Sequence, residues 1–270
     1  MTALARWQSG SEAANSWVCV GLDTDLSRLP GSFRDHPQPQ YAFNRWIIDE
    51  THLFAAAYKL NVAFYEARGE AGWAELRLTT EYLRQRAPAA FTICDAKRGD
   101  IGSTNAAYAT AFFDTLGFDA ITLHPYLGYE ALEPFLSRAD KACILLCRTS
   151  NPGARELQDL VVEGRPLWLW IAERVAQYWN AQGNCMLVVG ATYPDEMRRI
   201  RAAAGDIPFL VPGIGAQGGD LRATIRSGMN QQGGGLIINA SRSIIFASDP
   251  GAAARDLRDQ INQLRLELFT

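Results

Sequence analysis

Residues 89–116, AAFTICDAKRGDIGSTNAAYATAFFDTL, hold a strand, a charged turn and a helix in one short piece of chain. Ala89-Ala90-Phe91-Thr92-Ile93-Cys94 is an apolar run of strand length. The alanine-rich stretch at 105–116 reads as a helix. Between them Asp95, Lys97 and Asp100 crowd two carboxylates and an ammonium into six positions. Charge at the mouth of a buried strand is costly unless each group has a compensating partner, so packing alone does not explain it.

The same unit recurs along the chain. Apolar runs at 17–21, 56–60, 91–94, 120–123, 142–147, 185–189, 209–211 and 235–239 predict eight strands. Helical patterns near 41–54, 71–84, 105–116, 130–136, 166–180, 195–204 and 220–227 lie between them, and an eighth spans 252–268. Continuous apolar strands separated by amphipathic helices indicate parallel strands with crossover helices. Eight such units in 270 residues favour one closed (β/α)₈ barrel, a single domain over 1–270. A doubly wound sheet is the main alternative, but it would more often carry a glycine fingerprint after its first strand, where Gly21-Leu22-Asp23-Thr24-Asp25 has one glycine. Long connections near 24–40 and 148–165 both follow predicted strands, on the rim where barrels carry active sites and lids.

Composition narrows the function classes. The chain is 48% hydrophobic and 20% charged, ordinary for a soluble globular protein. A net charge of -3 argues against a nucleic-acid footprint. No apolar run is long enough to span a bilayer, and the N-terminus lacks the pattern of a secretory signal, so a cytoplasmic location is expected. Cys19, Cys94, Cys143, Cys147 and Cys185 all lie in strand-like runs and read as buried reduced thiols. Cys143 and Cys147 have a metal-like spacing, but no second Cys/His pair follows and no metal site is expected.

Polar groups converge on the C-terminal rim. Asp23 ends the first strand, Lys59 and Asn61 the second, Asp95 and Lys97 the third, and Arg148-Thr149-Ser150 the fifth. The opposite rim shows nothing comparable in the sequence. After the seventh strand comes Pro212-Gly213-Ile214-Gly215-Ala216-Gln217-Gly218-Gly219, and after the eighth Asn239-Ala240-Ser241-Arg242. Glycines there would let backbone N–H groups approach an anion, Gln217 could donate an amide hydrogen, and Arg242 offers a fork suited to phosphate. In an extended segment Asp95 and Lys97 point to one side, and Lys59 can reach Asp95 from the adjacent strand. The resulting alternation of Lys and Asp favours every charged form, which suits a proton donor or a partner for a carbanion rather than an imine-forming amine. Of the three histidines only His124 could border the site, and packing is its simpler role.

DAKRGDIGST resembles the signature of the orotidine 5′-phosphate decarboxylase family, Asp-x-Lys-x-x-Asp-Ile-x-x-Thr, through Asp95, Lys97, Asp100, Ile101 and Thr104. The likeness extends to GLD at 21–23, YKLN at 58–61, RTSNPGA at 148–154, PGIGAQGGD at 212–220 and NASRSI at 239–244; RTSNPGA is similar to a bacterial subgroup with longer loops. It implies cofactor-free, metal-free conversion of orotidine 5′-phosphate to UMP, the last step of de novo UMP synthesis. Lys97 would protonate C6 and Asp95 would sit beside the departing carboxylate. Lys59 would hold Asp95 and contact ribose, and Asp23 would bind a ribose hydroxyl. Ser150 would address the pyrimidine, Gln217 and Arg242 would grip phosphate, and Pro212 and Ser241 would complete the substrate contacts. The resemblance also implies a homodimer in which Asp100, Ile101 and Thr104 reach into the partner's site. Rival readings are a magnesium-dependent hexulose-phosphate synthase, a class I aldolase, and a non-catalytic nucleotide-binding barrel.

Overall fold

The computed structural model describes residues 1–214 and 219–269. Eight parallel strands close a barrel in sequence order. They are β1 (Val18–Gly21), β2 (Ala57–Asn61), β3 (Phe91–Arg98), β4 (Ala120–Leu123), β5 (Ala142–Arg148), β6 (Cys185–Val189), β7 (Phe209–Pro212) and β8 (Leu236–Ala240). Closure is direct, with Val18 in register with Ile238, Cys19 with Asn239 and Val20 with Ala240. Helices Pro39–Thr51, Gly69–Arg86, Gly102–Ala109, Tyr129–Leu136, Leu167–Arg174, Pro194–Ala204, Leu221–Gly228 and Pro250–Phe269 form the outer layer. The third and fifth continue as wider π-helical turns, Thr110–Thr115 and Val175–Trp179. The expected barrel and its eight strands are therefore present.

The strands are apolar because both faces are covered: every residue of β1, β4 and β6 is buried. All five cysteines are buried free thiols within this core. Burial pushes their pKa values up, that of Cys185 to about 12, because a thiolate would have no water around it.

Three features depart from expectation. An N-terminal helix, Ala3–Ala14, precedes the first strand and was not expected; it buries Ala3, Trp7, Gly10 and Ser11 on one face, and Thr2 caps it by accepting from the Ala5 N–H at 3.2 Å. It is held by contact: Trp7 meets Phe91 edge-on at 6.0 Å, and a side chain at Gly10 would strike the Ala89 carbonyl at 2.3 Å. Second, the two long connections have structure of their own. The first contains a turn at Leu26–Arg28 and a short helix at Gly31–Arg34, and Gln40 Nε2 ties it by donating to the Thr24 carbonyl at 2.9 Å. The second contains a helix, Ala154–Gln158, and a small hairpin pairing Val161–Val162 with Arg165–Pro166. Third, the N-terminal end of the barrel is not featureless. A cavity of about 580 Å³ opens there, lined by residues that include Trp7, Glu12, Asp206 and Arg265.

Candidate active site

The C-terminal mouth of the barrel encloses a cavity of about 450 Å³. Its walls include Asp23, Lys59, Asp95, Lys97, Ser150, Pro212, Ser241 and Arg242. Eight expected site residues, from six strands or strand ends, thus meet in one pocket. Gln217 lies outside the described residues.

Asp95 is the hub. It is 8% exposed and takes three donors. Lys59 Nζ lies 2.7 Å from Oδ2, Lys97 Nζ 2.7 Å from Oδ1, and Thr122 Oγ1 donates to Oδ1 at 3.0 Å. Lys59 also reaches Asp23 Oδ1 at 3.3 Å. Charges therefore alternate along Asp23, Lys59, Asp95 and Lys97. Burial alone would drive Asp95 toward its neutral form, but Lys59 and Lys97 outweigh it and hold the carboxyl well below the usual carboxylate range. Burial likewise opposes the charge on Lys59, and Asp23 and Asp95 overcome it, raising the ammonium above the ordinary lysine range. Lys97 differs in exposure. Its side chain is 50% exposed, against 6% for Lys59, so its ammonium is the member of the array open to the cavity.

The backbone beneath Lys97 is not the extended segment expected from alternation. β3 runs on to Arg98, and Lys97 sits at φ 48°, left-handed for a residue with a side chain. The register with β4 jumps from Cys94 opposite Ile121 to Arg98 opposite Leu123, so β3 bulges over Asp95, Ala96 and Lys97. Asp95 and Lys97 meet because of that arch, not because they alternate on a flat strand. Thr122, within an apolar β4, was missed by sequence reasoning; its one signal was a polar residue inside a buried run.

Across the mouth, the chain leaves β7 at Gly213 (φ 99°) and returns at Gly219, whose N–H donates to the Gly213 carbonyl at 3.2 Å. A side chain at Gly219 would meet the Ala191 Cβ at 2.6 Å, so only glycine fits that close return. Ser241 and Arg242 follow β8. Ser241 Oγ and Asn239 Oδ1 are buried against Gly21 and have no hydrogen-bond partner among the described residues, while both residues line the cavity. Asn61 and Asn239 line the same cavity as further polar groups.

The loop bearing Ser150 is fixed from below. Arg148, wholly buried, pairs with Glu196, lies 3.1 Å from Asp159 Oδ1 and stacks 4.5 Å from the Tyr193 ring centre. Gln158 braces the loop further, accepting from the Thr149 N–H at 3.0 Å and donating to Thr149 Oγ1 at 2.7 Å.

Asp100, Ile101 and Thr104 stand apart from this pocket. Asp100 Oδ1 accepts from the Ile101 N–H at 2.6 Å, Thr104 lies in the helix that begins at Gly102, and Ile101 is 61% exposed. His124 packs against Gly99 and lies outside the cavity lining; a side chain at Gly99 would meet its ring at 2.8 Å.

Fold and pocket together define a (β/α)₈-barrel enzyme whose Lys–Asp–Lys array, buried at Lys59 and Asp95 and open to the cavity at Lys97, shares the mouth with a glycine- and arginine-bearing rim. Residues 16–257 match the family model described as Orotidine 5′-phosphate decarboxylase / HUMPS family. The chain is 50% identical over 264 residues to an orotidine 5′-phosphate decarboxylase of Thermomicrobium roseum, covering 94% of this chain and 92% of that protein. It is 43% identical over 274 residues to the same enzyme of Cellvibrio japonicus, covering 98% and 100%. The structure of Leishmania donovani OMP decarboxylase superposes with a TM-score of 0.88 at 39% identity, over 98% of this chain and 99% of that one. Leishmania donovani UMP synthase matches with a TM-score of 0.91 and 42% identity, over 98% of this chain but 57% of that longer one. The chain belongs to the orotidine 5′-phosphate decarboxylase / HUMPS family and is an enzyme; the curated relatives it matches over nearly their full length are carboxy-lyases.

Proposed function

We propose that this enzyme decarboxylates orotidine 5′-phosphate to UMP, the last step of de novo UMP synthesis, with no metal or organic cofactor. The observation that carries the reading is the Lys59–Asp95–Lys97 array, held at 2.7 Å spacings on the wall facing Arg242 and Ser241. Phosphate binds at the loops after β7 and β8, with Gln217 and Arg242 as its grip and Pro212 and Ser241 beside it. Ser150 addresses the pyrimidine, and Asp23 and Lys59 hold ribose.

The chemistry follows from the charges. Breaking the C6–carboxylate bond leaves its electron pair on C6, where the ring delocalises it poorly. The Lys97 ammonium stabilises that developing charge and then gives its proton to C6; solvent restores the proton to Lys97. Asp95 fixes Lys97 and faces the departing carboxylate. Binding energy from the remote phosphate closes the loops over the array.

The working form is a homodimer in which Asp100, Ile101 and Thr104 complete the partner's site. Ile101 is supported in that role by its exposure and its place outside the lining of its own pocket, and by exposed Tyr126, Leu127 and Tyr129 on the chain entering the neighbouring helix. A cytoplasmic setting fits five buried free thiols, and no helix among the described residues is long and apolar enough to cross a membrane.

The test is loss of orotidylate absorbance with wild type and Lys97→Ala. Turnover by the wild type and a loss of at least about a thousandfold in the variant are expected. Normal activity in the variant would remove the proton-donor role. Turnover that collapses in excess EDTA would instead favour the magnesium-dependent synthase.

A further inference from the structure

We infer that Thr122 is the positioning residue that sets the Asp95–Lys97 pair, an inference that rests on the decarboxylase reading above. The β3 bulge creates a problem that β4 must solve. Between the paired positions Cys94/Ile121 and Arg98/Leu123, β3 spends three residues where β4 spends one. The arched backbone cannot use the regular ladder, and Lys97 is forced into the left-handed region. The Lys97 N–H, taken out of the regular ladder by the arch, needs another acceptor.

Thr122 Oγ1 supplies it. It accepts from the Lys97 N–H at 2.9 Å and in the same position donates to Asp95 Oδ1 at 3.0 Å. Thr122 is 1% exposed and lies on the cavity wall. One hydroxyl therefore fixes the backbone that aims Lys97 and the carboxylate oxygen that holds the Lys97 ammonium. Both ends of the Lys97 side chain are referenced to β4, the next staves of the barrel, rather than to the bulge alone. A hydroxyl is required for this: valine has the same shape but neither donates nor accepts.

The geometry predicts a split in kinetics. Thr122→Val leaves substrate-gripping groups untouched but releases the Lys97 backbone and one donor to Asp95. kcat should fall by roughly tenfold to a hundredfold, the scale of losing a hydrogen bond to a charged group at a reacting site, while KM stays within about threefold. Thr122→Ser, which keeps the hydroxyl, should restore kcat to within about threefold of wild type. Should Thr122→Val not fold, Thr122→Cys, similar in size with a weak donor, takes its place with the same expected split. Wild-type kcat in Thr122→Val or Thr122→Cys overturns the inference and leaves the decarboxylase reading standing. Equal losses in the serine and valine variants also overturn it, since the methyl and not the hydroxyl would then matter. A wild type that does not consume orotidylate overturns the functional reading itself.

Discussion

Lys59 Nζ and Asp95 Oδ2 lie 2.7 Å apart on adjacent strands, both side chains at most 10% exposed. They stand one above the other across the β2–β3 ladder, where Lys59 is in register with Ile93 and Asn61 with Asp95. Removing one partner leaves the other as a buried charge that has lost its nearest counter-ion. Lys59→Met should therefore destabilise the fold by about 3–5 kcal/mol, and Asp95→Asn, which keeps the shape and part of the hydrogen bonding, by less. The double variant should be less destabilised than the sum of the singles. Urea denaturation of all three measures this, and additive losses would refute the coupling.

The same pair gives a pH signature. The Asp95 pKa lies below the ordinary carboxylate range in the folded state, so its stabilisation is present above that range and is lost as pH falls through the folded value. The Lys59 pKa is raised, so its contribution is full below the ordinary lysine range and is lost only as pH rises through a still higher value. Neither group changes charge between about pH 5 and pH 9. The stability gap between wild type and Asp95→Asn should stay constant over that window and narrow below about pH 4. A gap already shrinking near neutral pH would mean the carboxylate is not held ionised.

Lys97 should separate activity from stability. Its side chain is half exposed and Asp95 keeps Lys59 when it is removed, whereas truncation of Lys59 takes a counter-ion from both Asp95 and Asp23. Lys97→Ala is expected to abolish turnover yet melt within a few degrees of wild type, a change of no more than about 1 kcal/mol. Asp95→Asn should also lower kcat sharply. Proximity of the Asp95 charge to the substrate carboxylate would destabilise the bound ground state, and full kcat in Asp95→Asn would show that this repulsion contributes nothing.

These residues also show what a sequence can carry. Asp95, Lys59, Ser241 and Arg242 were legible because strand ends in a parallel barrel share one rim, so adjacency along eight strands becomes adjacency in space. The approach of Lys59 to Asp95 follows from strand order alone. The left-handed turn at Lys97 does not, because a bulge is set by register between two strands and leaves no periodic trace. Thr122 was hidden for the same reason: its value lies in the gap the bulge opens. The N-terminal helix was overlooked because it precedes the first strand and stands outside the strand–helix alternation, although Ala3, Trp7, Gly10 and Ser11 give it a buried face. The partner-reaching role of Asp100, Ile101 and Thr104 rests on family likeness, since one chain shows only that they lie off their own pocket.

The thiols offer a test of the core. Cys19, Cys94, Cys143, Cys147 and Cys185 are all buried, and burial raises each pKa, so none should react with a thiol reagent in the native protein at pH 8. All five should react in denaturant, as a titration with Ellman's reagent would count. A native-state equivalent reacting at the rate of a free thiol would contradict the packing of that strand.

Arg148 yields the last prediction. Its guanidinium is wholly buried beneath the Ser150 loop, bound to Glu196 and Asp159 and stacked on Tyr193. The partners come from two pieces of chain: Tyr193 and Glu196 at the start of the helix Pro194–Ala204, and Asp159 just past the helix Ala154–Gln158. Arg148 therefore ties the loop after β5, which borders the cavity, to the loop after β6. A methionine would fill the apolar volume but abandon Glu196 and the loop tie, and a lysine could not reproduce the planar, stacked, forked contact. Arg148→Met and Arg148→Lys should both lower stability, by about 2–4 kcal/mol for methionine, and both should raise KM more than they lower kcat, because the role proposed for Ser150 is to address bound pyrimidine and not the breaking bond. Steady-state kinetics beside thermal melts distinguish the two effects. An unchanged KM in both variants would mean that the Ser150 loop holds its place without the arginine beneath it.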